Sequence, residues 1–166
     1  QGSGVVVNDG ALLEYVLPME GGRRPDMIVL ENGVVLILEF KGRQSWSFSD
    51  VDQTLGYKRD LENYHSVCQD GQHPVHAVLV LTRSSDPPTE RDGIRICGPD
   101  HLPELLTELT QESGYSAITS EHFLKGEYLP LPSLVKAAKL HFLEADLPQV
   151  KKASANTDPA YLRAQE

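Results

Sequence analysis

The residues best suited to chemistry in this chain are Asp26, Glu39 and Lys41, set at the ends of two apolar runs, DMIVLE and VVLILEFK. From Val34 to Leu38 the second run is wholly apolar, as in a strand buried on both faces, yet it finishes in a carboxylate and an ammonium. Side chains two apart on a strand share a face, so Glu39 and Lys41 point the same way. Between the runs lies Asn32-Gly33, a pair that tolerates positive φ at both positions and is the strongest short signal for a hairpin. In an antiparallel hairpin the start of one strand lies beside the end of the other, which brings Asp26 to Glu39 and Lys41. Two carboxylates suit a hard divalent cation such as Mg²⁺, which takes oxygen ligands and keeps positions for water and substrate. A neighbouring lysine can orient an attacking water and steady the charge growing on a phosphate. The hairpin alone also fits a plainer reading, a strand leaving the core with charges at its ends.

Several elements must hold these residues in place. Residues 11–18, apolar and stopped by Pro18, read as a strand ahead of the hairpin, and Glu14 on it is a further carboxylate. After the hairpin, Ser49 with Asp52 three residues on fits a helix N-cap. Val51, Leu55, Leu61 and Tyr64 keep a helical face through 49–66. Strands follow at 75–82 and 94–97, separated by a polar loop, and Leu102, Leu105, Leu106 and Leu109 mark a helix ended by Gly114. A last helix is expected within 135–146. This order predicts an α/β fold with a central mixed sheet flanked by helices. Residues 1–10 read as a linker or cloning remnant, 11–147 as the domain, and 148–166 as a polar linker or the lead-in to a further domain.

At 166 residues, 40% hydrophobic and 23% charged, the chain has the composition of an ordinary globular domain. No apolar run approaches a membrane span and no signal peptide is evident, so no membrane partner is expected. Two cysteines, Cys68 and Cys97, fit a reducing cytoplasm better than a disulfide scaffold. A net charge of −9 counts against a dedicated nucleic-acid binder. An enzyme that meets phosphate through a bound cation escapes that objection, because the cation supplies the positive charge.

Gln53 and Tyr57 share a helix face at i, i+4 spacing. With them, PD at 25–26, EFK at 39–41 and QTLGY at 53–57 resemble the PD-(D/E)xK nuclease superfamily, in its RecB-like branch with a QxxxY motif. The longer pattern over 11–82 is similar to the nuclease-like domain of bacterial schlafen-type DNA/RNA helicase proteins. The resemblance implies a restriction-endonuclease-like core and metal-dependent hydrolysis of nucleic acid, DNA more than RNA, using Mg²⁺ or Mn²⁺ beside a helicase domain. It makes Asp26, Glu39 and the Phe40 carbonyl the metal ligands and Lys41 the catalytic lysine. Gln53 and Tyr57 then contact nucleic acid or brace the site, with Glu14 in support. The family's usual first helix, ahead of the first strand, has no counterpart in the short stretch VVVNDG.

Other residues carry weaker signals. Cys68, His73 and His76 have zinc-like spacing but lack a fourth ligand nearby. Arg23 and Arg24 fit phosphate contacts or a solvated loop equally. Trp46 fits core packing better than stacking on a base, and Tyr57 has a packing reading of its own. Two functional classes therefore stand: a metal-dependent nuclease, and a catalytically inactive nuclease-like module that binds nucleic acid or docks a protein.

Overall fold

The computed structural model describes residues 2–8, 10–18, 20–111 and 114–129, all within one unit spanning 1–130. The helix expected in 135–146 and the polar tail from 148 lie outside the described residues. Seven strands form one mixed sheet: β1 (Ser3–Asn8), β2 (Ala11–Val16), β3 (Met27–Glu31), β4 (Val34–Lys41), β5 (Val75–Leu81), β6 (Thr89–Arg91) and β7 (Ile94–Cys97). Their spatial order is β1-β2-β3-β4-β5-β7-β6. Among the described residues three α-helices accompany the sheet, α1 (Phe48–Tyr64), α2 (Leu102–Leu109) and α3 (Ser120–Lys125), besides 3-10 turns at Gln69–Gly71 and Pro99–His101.

The hairpin forms as its turn chemistry demands. Asn32 and Gly33 have φ of 52° and 79°, and Glu31 pairs with Val34, so the turn has two residues. From there the register runs without interruption to Met27 opposite Leu38. One further step sets Asp26 opposite Glu39. On its other edge β4 pairs in parallel with β5, Glu39 beside Leu79 and Lys41 beside Leu81, so β4 is interior to the sheet. That is why it is apolar on both faces.

Period-two alternation divides β4 between two cores. Val35 and Ile37 join Ala77 and Leu79 of β5 beneath Val51, Tyr57 and Leu61 of α1. Val34, Leu36 and Leu38 face the opposite way with Val78, Val80, Leu105 and Leu109, the last two from α2. By the same alternation Glu39 and Lys41 fall on the α1 face. Helix α1 is thus the roof over the charged end of β4.

Several elements differ from expectation. Ser47, not Ser49, caps α1, in a capping box with Asp50; the Ser-x-x-Asp pattern occurs twice, two residues apart. Residues 3–8, expected to be linker, pair with β2 as edge strand β1. The polar loop contains β6, closed on β7 by a second hairpin turn at Asp92-Gly93, φ 52° and 82°. Helix α2 ends at Leu109, five residues before Gly114. Residues 118–129 supply α3 and set Ile118, Phe123 and Tyr128 into the α1-side core.

Candidate active site

The charged end of the hairpin is built by three elements. Asp26 sits just before β3, and its Oδ2 accepts a hydrogen bond from the Phe40 amide at 2.8 Å, which fastens it across to β4. Glu39, only 3% exposed, places Oε1 2.8 Å from the Lys41 ammonium. Its second oxygen, Oε2, is buried and has no hydrogen-bond partner. Lys41 also donates to Gln53 Oε1 at 3.0 Å, and Gln53 Nε2 donates to the Tyr57 hydroxyl at 2.8 Å. A continuous relay, Glu39–Lys41–Gln53–Tyr57, therefore crosses from strand to helix.

The helix is positioned for this by its own caps. Asp50 binds the Ser47 amide at 2.9 Å and forms an ion pair with Arg43 at 3.2 Å, tying the start of α1 to the segment leaving β4. Gln53 and Tyr57, one turn apart, then look down on Lys41. Behind them Arg23 lays its guanidinium over the Tyr57 ring, 5.2 Å from the centroid, and reaches buried Asp60 at 2.6 Å. Gly56 makes room for it: a Cβ there would lie 2.6 Å from Arg23 Nη2. Arg23 is thus a buttress for Tyr57.

Electrostatics at the site follow from burial. Burial pushes the Glu39 carboxyl above the ordinary carboxylate range; the Lys41 bond pulls back, the charge of Asp26 adds to the push, and the nearby Asp26 backbone amide, too poorly placed to complete a hydrogen bond to Oε2, offsets a little of it. For Lys41 burial works downward, but the bond to Glu39 and the charges of Glu39, Asp50 and Asp26 outweigh it and hold its pKa above the usual lysine value. Lys41 therefore stays a cation at neutral pH. Burial also opposes ionisation of Asp50, yet the Ser47 hydrogen bonds and the Arg43 charge keep its carboxyl below the ordinary value.

The oxygen donors suit a divalent cation. A buried carboxylate oxygen without a partner is costly unless something binds it, and Glu39 Oε2 is such an atom beside the charge of Asp26. In a strand the N–H and C=O of one residue point to the same edge. The Phe40 amide meets Asp26 while the Lys41 carbonyl accepts from Thr82 on the β5 side at 3.0 Å, so the Phe40 carbonyl turns toward Asp26. Asp26, Glu39 and Phe40 thus present oxygens at one hairpin end. Such hard oxygen donors fit Mg²⁺ or Mn²⁺ better than zinc. No group of three or more His, Cys, Asp or Glu side chains stands ready to hold a metal among the described residues.

The structure brings together Asp26, Glu39, Phe40, Lys41, Gln53 and Tyr57. Glu14 is set apart: its amide donates to the Asp26 carbonyl at 3.0 Å, but its carboxylate pairs with Arg24 at 2.6 Å. Glu14 has φ of 50°, a left-handed bulge that breaks the alternation of β2. The zinc-like trio does not assemble either, since Cys68 packs in the α1-side core and His73 Nδ1 lies 2.7 Å from the Gly33 carbonyl. Asp50, Arg43 and Asp60 were missed as supports. Asp60 lies in the KRDLE stripe at 58–62, which in sequence reads as a solvated helix face, and only its tertiary contact with Arg23 gives it a role.

No helix among the described residues is long and apolar enough to cross a membrane. No protein-family model, curated protein or solved structure matches the chain.

Proposed function

We propose that this domain is a divalent-metal-dependent nuclease that hydrolyses nucleic-acid phosphodiester bonds. The observation that carries the reading is the Glu39 carboxylate, buried on the floor of the site with one oxygen on Lys41 and the other unpartnered. A bound cation would give that second oxygen the partner the protein itself leaves out, which supports a ligand set over an ion pair alone. The preference for DNA over RNA and the helicase-bearing parent rest on the resemblance over residues 11–82.

Asp26, Glu39 and the Phe40 carbonyl would hold the cation, which when bound supplies charge neutralisation at the phosphate. The remaining work falls to the chain. Lys41, held protonated by Glu39, is a donor and point charge for a phosphate oxygen or the attacking water, not a general base. Gln53 limits where the ammonium can swing, and Tyr57 limits Gln53. Because β4 is interior to the sheet and α1 is anchored through Asp50, these groups are presented on rigid elements.

A second reading, an inactive nuclease-like module, is favoured by one observation: Lys41 is already engaged by both Glu39 and Gln53. Cleavage of end-labelled single- and double-stranded DNA in Mn²⁺, by wild type and Lys41→Ala, separates the two. Cleavage that the variant loses supports the nuclease; no cleavage by either, under conditions where Mn²⁺ binds, supports the module.

A further inference from the structure

We infer that the aromatic pair Trp46–Phe48, with Arg91 laid over it, is a stacking platform for an unpaired base, which makes single-stranded nucleic acid the substrate of the neighbouring site. This rests on the nuclease reading above. Phe48 opens α1 and is 71% exposed, the most exposed of the large hydrophobic side chains among the described residues. Its ring meets that of Trp46 edge-on, centroids 5.6 Å apart and planes at 89°, and Trp46 is itself partly buried against the α1-side core, as the sequence led one to expect, so Phe48 offers the open ring of the pair. The guanidinium of Arg91 lies over both, 4.9 Å from the Trp46 ring and 5.2 Å from Phe48. The tip of the β6–β7 hairpin delivers that arginine. Beyond these contacts most of the Phe48 ring stays open to solvent, so the arrangement suits a ring that stacks on a partner. Every base offers a π-face, and stacking of this kind tolerates any sequence.

Position connects the platform to the site. Trp46 and Phe48 lie in the passage from Lys41 to Gln53, and the Arg43 carbonyl accepts from the Arg83 amide at 3.2 Å, binding this loop to the end of β5. A cleft of about 440 Å³ opens beside Phe48, lined by Ser49, Val51, Asp52, Leu55 and Asp92 as well. Two carboxylates on that lining repel phosphate, while their oxygens can accept from the amino groups of bases. Gripping the base and not the backbone also reconciles nucleic-acid binding with a net charge of −9. A paired base cannot reach such a platform without leaving its stack.

Trp46 is the only tryptophan in the chain, so its fluorescence reports on the platform directly. The test titrates wild type, Phe48→Ala and Arg91→Ala with a single-stranded oligocytidylate and with a blunt duplex, in chelator so that nothing is cleaved. The single strand is expected to quench Trp46 saturably and the duplex not to. Phe48→Ala should weaken binding by about 5- to 150-fold, the share one stacked base carries. Since Phe48 is exposed, the fold survives its removal, checked by an unchanged unfolding midpoint. Equal quenching by both nucleic acids, equal affinity in Phe48→Ala, or no quenching overturns the platform, whether or not the protein cleaves in Mn²⁺. Quenching lost in Phe48→Ala without any cleavage in Mn²⁺ upholds the platform and removes the nuclease reading instead.

Discussion

Replacing Glu39 by glutamine separates a ligand from a structural ion pair, because the two roles move stability in opposite directions. In the metal-free protein the buried Oε2 lacks a partner, a debt of about 1–3 kcal/mol for an unsatisfied polar group. Glutamine keeps an acceptor for Lys41 and sets an amino group in the place of Oε2, where it can donate to the neighbouring Asp26 carboxylate instead of standing charged beside it, at a loss of about 1 kcal/mol of charge assistance in the Lys41 bond. Lys41, with its side chain 20% exposed, recovers part of this through water. The balance favours Glu39→Gln by about 1 kcal/mol, a rise of about 2–4 °C in melting temperature. Because the folded-state pKa of Glu39 lies above its unfolded value, the folded protein holds that proton more tightly. Wild-type stability is therefore lost as pH climbs from the ordinary carboxylate range through the raised value, and the variant lacks this loss. Mn²⁺ at 100 times its Kd adds about 2.7 kcal/mol to wild type and nothing comparable to the variant, so the ranking inverts. Thermal denaturation in chelator and in Mn²⁺, across pH 4–8 (a window set by the direction of that shift), reads both effects. A variant less stable than wild type in chelator, with an equal Mn²⁺ response, refutes the reasoning.

Other outcomes follow from the same geometry. Lys41→Ala should leave Mn²⁺ binding in place while cutting the cleavage rate about 10²–10³-fold, as the loss of one preorganised donor does; single-turnover assays measure this. Tyr57→Phe removes the acceptor for Gln53 Nε2. It should cost about 1 kcal/mol in urea denaturation and about tenfold in cleavage, with affinity for the single strand unchanged. Gly33→Ala imposes a left-handed φ on alanine and sets its Cβ 2.6 Å from the Ser116 carbonyl oxygen. The expected loss is about 2–4 kcal/mol, seen as a lower urea midpoint.

What the sequence could and could not show divides along physical lines. Strand alternation and helix spacing are local rules, so Glu39 with Lys41, and Gln53 with Tyr57, could each be set on one face from spacing alone; that the two faces meet was implied only by the resemblance. The Asn32-Gly33 turn then fixed the partner of β4 and brought in Asp26. Glu14 escaped because a bulge at φ 50° breaks the alternation on which its placement depended. Strands β1 and β6 escaped because they are edges: Val5, Val6 and Val7 are all half-exposed or more, and Thr89–Arg91 is exposed throughout, so neither shows a buried face. Ile118, Phe123 and Tyr128 recur every five residues, a spacing that belongs to neither helix nor strand, and only the core they enter gives them order. Asp92-Gly93, like Asp9-Gly10 and the Ser47-x-x-Asp50 pattern, was a legible signal left unused.

The most direct test of the central claim is Mn²⁺ binding by calorimetry to wild type and to Asp26→Ala, followed by cleavage of labelled single-stranded DNA. A cation held by Asp26, Glu39 and the Phe40 carbonyl predicts binding in wild type, its loss in the variant, and cleavage that disappears with it. Absence of binding in the folded wild-type protein, or binding unaltered by Asp26→Ala, contradicts the account.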